Sequence, residues 1–234
     1  APGYRYENIA VMLRENSGVD VDYVKKMQTD THTVLAKKVI PIMMKYVQAE
    51  GERGSKALQL LQQWDTDVTL NSVPAAIYNT FLMRFMYHTV ADEMGDELAE
   101  TWVGERYISL ERFFKLLEEN SPFFDDVNTE KPEGISQIAT RAFNETMDIL
   151  EEQTGSADVE DWQWKKIHFI KFDHFLGKSA MLKPFVNYGP FPFDGDGETN
   201  KRARFYEVKP PFIAESASAP RMVVHFGKET RGHL

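Results

Sequence analysis

The spacing of the apolar residues changes near residue 158, and this change limits the fold more than any other feature. Before it, apolar residues recur three or four positions apart, which is typical of helices with one buried face. After it, they lie in short or alternating runs between Gly, Pro and Asp, which is typical of strands and loops. The sequence predicts an α+β fold, mainly helical over residues 1–157 and made of strands and long loops over residues 158–234.

The strongest helical signal is a wide apolar stripe over residues 73–90. It predicts a buried helix that begins at Asn71 or Ser72 and has Pro74 in its first turn. Pro41 predicts a kink or break over residues 37–40, because proline removes a backbone donor. The other predicted elements are helices over 6–14, 20–47, 58–64, 110–118 and 135–153, a turn at 51–54, a long loop over 187–200, and strands over 164–172, 203–208 and 221–226.

Composition excludes several classes of function. The chain has 27 Lys and Arg against 36 Asp and Glu, and its net charge of −9 argues against general nucleic-acid binding. Its apolar stretches are far shorter than the roughly 20 residues that span a bilayer, so no membrane partner is predicted, and no signal peptide is visible at the N-terminus. The absence of cysteine excludes a thiol nucleophile and a disulfide framework, and it leaves the cellular compartment open.

The densest polar cluster is the run from Asp194 to Glu198, which carries three carboxylates on a glycine-containing loop. Such a loop could wrap a hard cation such as calcium. An EF-hand is excluded, because its twelfth position would be Phe205. We favour an acidic, solvated turn over a calcium loop.

His168 and His174 form the second cluster of candidate residues. On a strand they would point to one face, because they are separated by an even number of positions. Zinc needs a third protein ligand, so we interpret the two histidines as a packed polar pair and predict no metal site. The sequence has no nucleophile elbow and no phosphate-binding glycine loop, so its residues alone predict no catalytic group.

Four segments carry a recognisable combination of residues. They are Tyr4, Arg5 and residues 9–13 with Tyr23, Gln28 and Asp30; Trp64 and Asp65 with residues 76–78; Trp164, His168, Phe172, His174 and Leu176, followed by Gly189, Pro190, Gly195, Asp196, Thr199 and Asn200; and residues 221–223. In this order they resemble the β chain of the penicillin acylase family of N-terminal nucleophile hydrolases, which includes acyl-homoserine lactone acylases.

Several positions depart from the family pattern. Phe175 replaces a proline, Thr66 replaces a glycine after Trp-Asp, and His225 replaces an aspartate. Ala219 and Pro220 stand where a serine precedes the arginine. These positions are expected to shape packing and loops.

The resemblance implies a two-sheet sandwich and a nucleophile at the first residue of the β chain, whose α-amino group is the base. This chain begins with Ala1, and the family's oxyanion asparagine and its tail would lie outside the sequence. We therefore expect an internal part of an acylase β chain with no catalytic residue of its own. In it, Asp194, Asp196 and Asn200 would form a structural turn.

The resemblance also implies partners and a location. The partners would be the remaining segments of the acylase α and β chains, and the substrate a small acyl amide such as a β-lactam side chain or an acyl-homoserine lactone. No cofactor is expected in this segment, although calcium is a structural ion in the family. The location would be the periplasm or the outside of the cell.

Two further expectations follow. Strands whose sheets are completed by other segments would leave edges uncovered, which predicts self-association of this chain. The alternative function is a standalone helical module that binds a peptide or lipid in a groove lined by Phe81, Phe85 and Phe113.

Overall fold

The computed structural model describes residues 3–217, 221–226 and 231–233. Ala1, Ala219 and Pro220, which the sequence comparison singled out, lie outside these ranges. Helices dominate the described chain up to residue 154. They are α1 (Tyr4–Glu15), α2 (Val21–Thr29), α3 (Val34–Tyr46), α4 (Gly51–Gln62), α5 (Val73–His88), α6 (Ala91–Met94), α7 (Asp96–Gly104), α8 (Arg106–Glu118) and α9 (Ile135–Thr154).

The pair α5 and α9 forms the centre of the helical part. Helix α5 begins at Ser72, whose hydroxyl accepts a hydrogen bond from the backbone N–H of Ala75 at 3.2 Å. Helix α9 ends at Gly155, which adopts the left-handed conformation with φ 69°. The two helices pack through aromatic rings such as Phe81 and Phe143, whose centroids are 6.4 Å apart. Both helices were predicted because their signals are local.

The predicted break at residues 37–40 is wrong. Helix α3 continues through Pro41, and the chain leaves the helical conformation earlier, between Asp30 and Thr33. There the backbone pairs with a distant segment: the N–H of Thr33 donates to the carbonyl of Thr66 at 3.0 Å. The predicted turn at residues 51–54 is also wrong, because these residues begin α4.

Strands appear after residue 167, which confirms the α+β class. They are β1 (His168–Phe172), β2 (Tyr188–Pro192), β3 (Ala203–Arg204), β4 (Phe212–Ala214), β5 (Ser216–Ala217), β6 (Val223–His225) and β7 (Arg231–His233), with a short helix α10 (Lys183–Val186) between β1 and β2. The sheet order is β2-β1-β4, with β1 antiparallel to β2 and parallel to β4. Strands β3 and β5 form one antiparallel ribbon, and β6 and β7 form another. The predicted loop over 187–200 is wrong at its start, where β2 lies.

The segment between residues 172 and 191 exposes an unusual number of large apolar side chains. Phe185 is 84% exposed and Met181 79% exposed, and Phe175 and Tyr188 are also largely open to solvent. By contrast, the rings of Phe81, Phe85 and Phe113 are buried, and Phe85 packs against both others, edge-to-face on Phe113 with 5.1 Å between the centroids. The groove expected for a helical binding module is therefore wrong, because these rings form the core.

None of the helices in the described chain has the length and apolar character that crossing a bilayer requires.

Candidate functional site

The loop from Asp194 to Lys201 lies inside the molecule, so the expected solvated turn is wrong. Asp196 has 0% of its surface exposed and Glu198 has 4%. Burying a charge is expensive unless other charges or hydrogen bonds compensate it. The compensating charge comes from Arg106, about 90 residues earlier in the sequence, which is why the local acidic pattern indicated a surface.

The side chain of Asp196 holds this loop together by accepting hydrogen bonds from backbone N–H groups of the loop. Its Oδ1 atom accepts hydrogen bonds from the N–H groups of Glu198 at 2.8 Å and Thr199 at 3.1 Å. The hydroxyl of Thr199 in turn accepts a hydrogen bond from the N–H of Asp196 at 3.0 Å. Gly195 has φ 77°, and a Cβ there would lie 2.1 Å from the carbonyl oxygen of Lys201. Only glycine fits this position without moving the backbone.

The side chain of Asp194 and the backbone at both ends of the loop connect the loop to the helical part. The Oδ1 atom of Asp194 accepts the N–H of Leu70 at 2.8 Å, and its Oδ2 atom pairs with the Lys201 ammonium at 2.7 Å. The N–H of Gly195 donates to the carbonyl of Val68 at 2.8 Å, and the N–H of Lys201 donates to that of Asp30 at 2.8 Å. The loop is therefore part of the helical core.

Asn200 belongs to a separate polar contact at the edge of the loop. Its Nδ2 atom lies 3.5 Å from the Oδ2 atom of Asp30, which also accepts a hydrogen bond from the Nδ2 atom of Asn8 at 2.6 Å. The structure thus places Asp194, Asp196 and Asn200 on one buried loop, each with a different partner.

A buried arginine lies near enough to the two inner carboxylates for its charge to act on both. Arg106, the first residue of α8, is 2% exposed, and its guanidinium lies 4.9 Å from the centroid of the Phe205 ring. Burial raises the pKa of Asp196 and of Glu198, and the charge of Arg106 opposes this shift at both carboxyls. Arg106 is a buried charged residue that the sequence analysis did not single out, because nothing near it in the sequence marks it as buried.

The structure does not bring His168 and His174 together, and the predicted pair is not formed. His168 is fully buried on β1, where its ring stacks on Trp164 and its Nδ1 atom lies 2.6 Å from the carbonyl oxygen of Phe193. Burial lowers its pKa to about 4, so the ring is neutral at pH 7. His174 lies beyond the end of β1, is exposed, and accepts a hydrogen bond from the N–H of Leu176.

Three side chains of the kinds found in catalytic triads lie together: the hydroxyl of Thr66, the imidazole of His32 and the carboxylate of Asp67. The hydroxyl of Thr66 lies 3.0 Å from Nδ1 and 3.3 Å from Nε2 of His32, and a carboxylate oxygen of Asp67 lies 3.8 Å from Nδ1. In a catalytic triad the nucleophile contacts one ring nitrogen and the orienting carboxylate the other, whereas here both groups lie at Nδ1. Thr66 is also buried and has φ 68°, a conformation that favours glycine. The departure from the Trp-Asp-Gly pattern therefore marks a strained position.

A second charged cluster surrounds Glu145 on α9. Its carboxylate oxygens lie 2.7 Å from Nε of Arg84, 2.6 Å from Nε2 of His88 and 2.8 Å from Nζ of Lys209. Burial opposes ionisation of this carboxyl, but the hydrogen bonds from His88, Lys209 and Arg84 outweigh it and hold the pKa well below its ordinary value. This cluster joins the helical part to the segment after β3.

A cleft of about 440 Å³ opens beside Asn200. Helices α1 and α2 form its walls, and the segment that leads into β6 closes one side. Its apolar lining consists of Ile9, Leu13, Val24, Met27 and Met222. Its polar lining consists of Arg5, Gln28, Asn200 and Arg221. A cleft of this size and character is typical of small-molecule sites.

Within the described ranges, no three His, Cys, Asp or Glu side chains are arranged so that they could hold a metal ion. Asp194 and Asp196 are instead engaged by protein donors.

Comparison with known sequences identifies the family of this chain. The penicillin amidase family model matches residues 1–234, and the chain belongs to that family. This confirms the resemblance seen in the sequence. The chain is 24% identical over 254 residues to the acyl-homoserine lactone acylase QuiP of Pseudomonas aeruginosa, covering 96% of this chain and 30% of that protein.

Two other relatives carry the same name. QuiP of Pseudomonas putida is 26% identical over 246 residues, with 96% of this chain and 29% of that protein covered. QuiP of Pseudomonas fluorescens strain Pf0-1 is 28% identical over 186 residues, with 77% of this chain and 22% of that protein covered. The chain thus spans less than a third of the length of these relatives.

Proposed function

We propose that this chain is part of an acylase that hydrolyses the amide bond between an acyl group and an amine, such as a homoserine lactone or a β-lactam nucleus. The observation that carries the proposal is the family match over all 234 residues, together with relatives named acyl-homoserine lactone acylase. Water would cleave the C–N bond and leave a carboxylate and a free amine. Such an enzyme could act in quorum quenching or antibiotic resistance.

In this proposal the chain is a scaffold, and another part of the complete protein provides the nucleophile. Support comes from the candidate residues themselves, since Asp194, Asp196 and Asn200 are engaged in structural hydrogen bonds. The hydroxyl of Thr66 touches both ring nitrogens of an imidazole, but Thr66 is buried, so a substrate cannot reach it. The three residues of the loop would act as a structural turn.

The complete enzyme would supply the partners of this chain. We propose that the three-stranded sheet continues into the two-sheet sandwich of N-terminal nucleophile hydrolases, with strands from the remaining α and β segments added at its edges. Calcium, if the enzyme uses it, would bind outside this segment. Export to the periplasm or the outside of the cell is part of the same proposal, and fractionation of cells that produce the complete protein tests it.

The test of activity is hydrolysis by the protein encoded by the full reading frame. Purified protein is incubated with decanoyl-homoserine lactone and with a phenylacetyl amide, and the released amine is measured. We expect release of at least one amine. In the same protein, Asp194→Ala should lower thermal stability and leave KM unchanged, because Asp194 holds the loop and does not touch substrate. A folded full-length protein that hydrolyses no acyl amide would overturn the proposal.

A further inference from the structure

We propose that the cleft beside Asn200 binds one amphiphilic carboxylate, with its alkyl chain between α1 and α2 and its anionic head at Arg5 and Arg221. This inference goes beyond the proposed function, because it concerns a binding site and requires no bond to be cleaved. It rests on the lining of the cleft alone.

The walls favour an alkyl chain. Ile9 and Leu13 lie one turn apart on α1 and face Val24 and Met27 on α2. Transfer of apolar surface from water into such a cleft is favourable in proportion to the area that is buried. A ligand with only a polar head would leave these walls in water, so the ligand needs an apolar tail.

The charges of the lining favour an anionic head. The described residues that line the cleft include two guanidinium groups and no carboxylate. Arg221 is half-buried, and burial lowers its pKa; among the residues that the structure describes, no neighbouring charge offsets this shift. Arg5 is also half-buried, and its Nε atom has no hydrogen-bond partner in the described chain. A carboxylate can accept two parallel hydrogen bonds from a guanidinium, so it would compensate the desolvated charge.

The cleft is held in shape before any ligand binds. The side-chain N–H of Gln28 donates to the carbonyl of Met222 at 3.3 Å and thereby joins α2 to the segment before β6. The amide of Asn200 is held by Asp30 on the opposite side. A preorganised site loses less conformational entropy when a ligand binds. Because the chain has a net charge of −9, the positive charge at this cleft is a local feature that would attract anions to this place.

The test is calorimetric titration of the 234-residue chain with decanoate, decanamide and acetate at concentrations below micelle formation. We expect saturable binding of one decanoate, binding of decanamide at least about ten-fold weaker, and no heat from acetate, since the head and the tail must act together. Decanamide has the same tail without the charge, and acetate has the same charge without the tail.

Three variants assign the site. Arg221→Gln should weaken decanoate binding at least about ten-fold and bring it to the level of decanamide, whereas Val24→Trp should abolish binding of both by filling the cleft. Arg112→Gln is the matched control, because Arg112 is an exposed arginine on α8 away from the cleft, and it should bind as the original chain does. Thermal melts establish that each variant is folded.

Three results would overturn the proposal: no saturable binding of decanoate, equal binding of decanoate and decanamide, or binding by the folded Arg221→Gln and Val24→Trp variants that matches that of Arg112→Gln. The first result would mean that the cleft does not bind an amphiphilic carboxylate.

Discussion

Replacing Asp196 by alanine removes the residue that holds the buried loop together. Two backbone N–H groups, those of Glu198 and Thr199, lose their acceptor in a position with no access to water. A buried donor without a partner costs about 1–3 kcal/mol. Arg106 also loses a compensating carboxylate. We expect the free energy of unfolding to fall by about 3 kcal/mol, which for a chain of this length lowers Tm by about 6–12 °C.

Asp65→Ala is the matched control for this substitution. The side chain of Asp65 accepts a hydrogen bond from the N–H of Asp67 at 3.0 Å, but it is exposed, so water can replace it. The expected loss is about 0.5 kcal/mol or less. Asp196→Asn keeps an oxygen at the same place but removes the carboxylate charge that acts on Arg106, so this variant should lie between Asp196→Ala and the original chain.

The assay is thermal unfolding followed by circular dichroism, in EDTA and in calcium. Calcium should leave Tm unchanged in the original chain and in all three variants. The reasoning would be refuted by a calcium-dependent rise in Tm that disappears in Asp196→Ala, or by equal losses in Asp196→Ala and Asp65→Ala.

Four other predictions address separate features. Thr66→Gly should be more stable than Thr66→Ala by about 1 kcal/mol in urea unfolding, because only glycine relieves the left-handed conformation, and the reverse order would contradict the strain. Because the pKa of Glu145 is lowered in the folded chain, the ionised carboxylate stabilises the fold at pH values above its ordinary pKa of 4.5, and this stabilisation is lost as the pH falls below 4.5. Glu145→Gln should therefore lower the urea midpoint at pH 7 and make the midpoint less dependent on pH below 5. An unchanged pH profile would count against the cluster. Phe185→Ser should reduce self-association measured by light scattering, whereas Ile108→Ser, at a residue that is 76% exposed on α8, outside the apolar segment 172–191, should not. A monomeric original chain would refute this hypothesis. The pure chain should not hydrolyse a phenylacetyl or long-chain acyl amide, and turnover abolished by a point substitution within it would show a catalytic group here.

Local signals made part of this fold predictable. Ser72 and Gly155 mark the ends of two helices whose apolar faces are continuous in the sequence, so α5 and α9 follow from short-range rules. Strand β2 gave no such signal, because all five of its residues are exposed and no alternation of burial is imposed on them. Its pairing with β1 is decided by contacts across the sheet.

The errors at the candidate site have the same physical origin. The break between α2 and α3 is fixed by pairing with Thr66, more than 30 residues away. The burial of Asp196 depends on Arg106 and on backbone groups of the segment around Val68, which no local window contains. Spacing identifies the acidic loop as a special feature, but only the folded chain shows that it lies in the interior.

The dependence of the helical core on the loop from Asp194 to Lys201 also sets an order of events during synthesis. A ribosome releases the N-terminal segment first, and helices can form within it as it emerges. Val68, Leu70 and Arg106 nevertheless wait for partners that are translated roughly 90 to 125 residues later. The nascent chain can therefore form its helices long before it contains the loop that pairs with their buried polar groups. Translation must pass Lys201 before the helical part can reach its final packing.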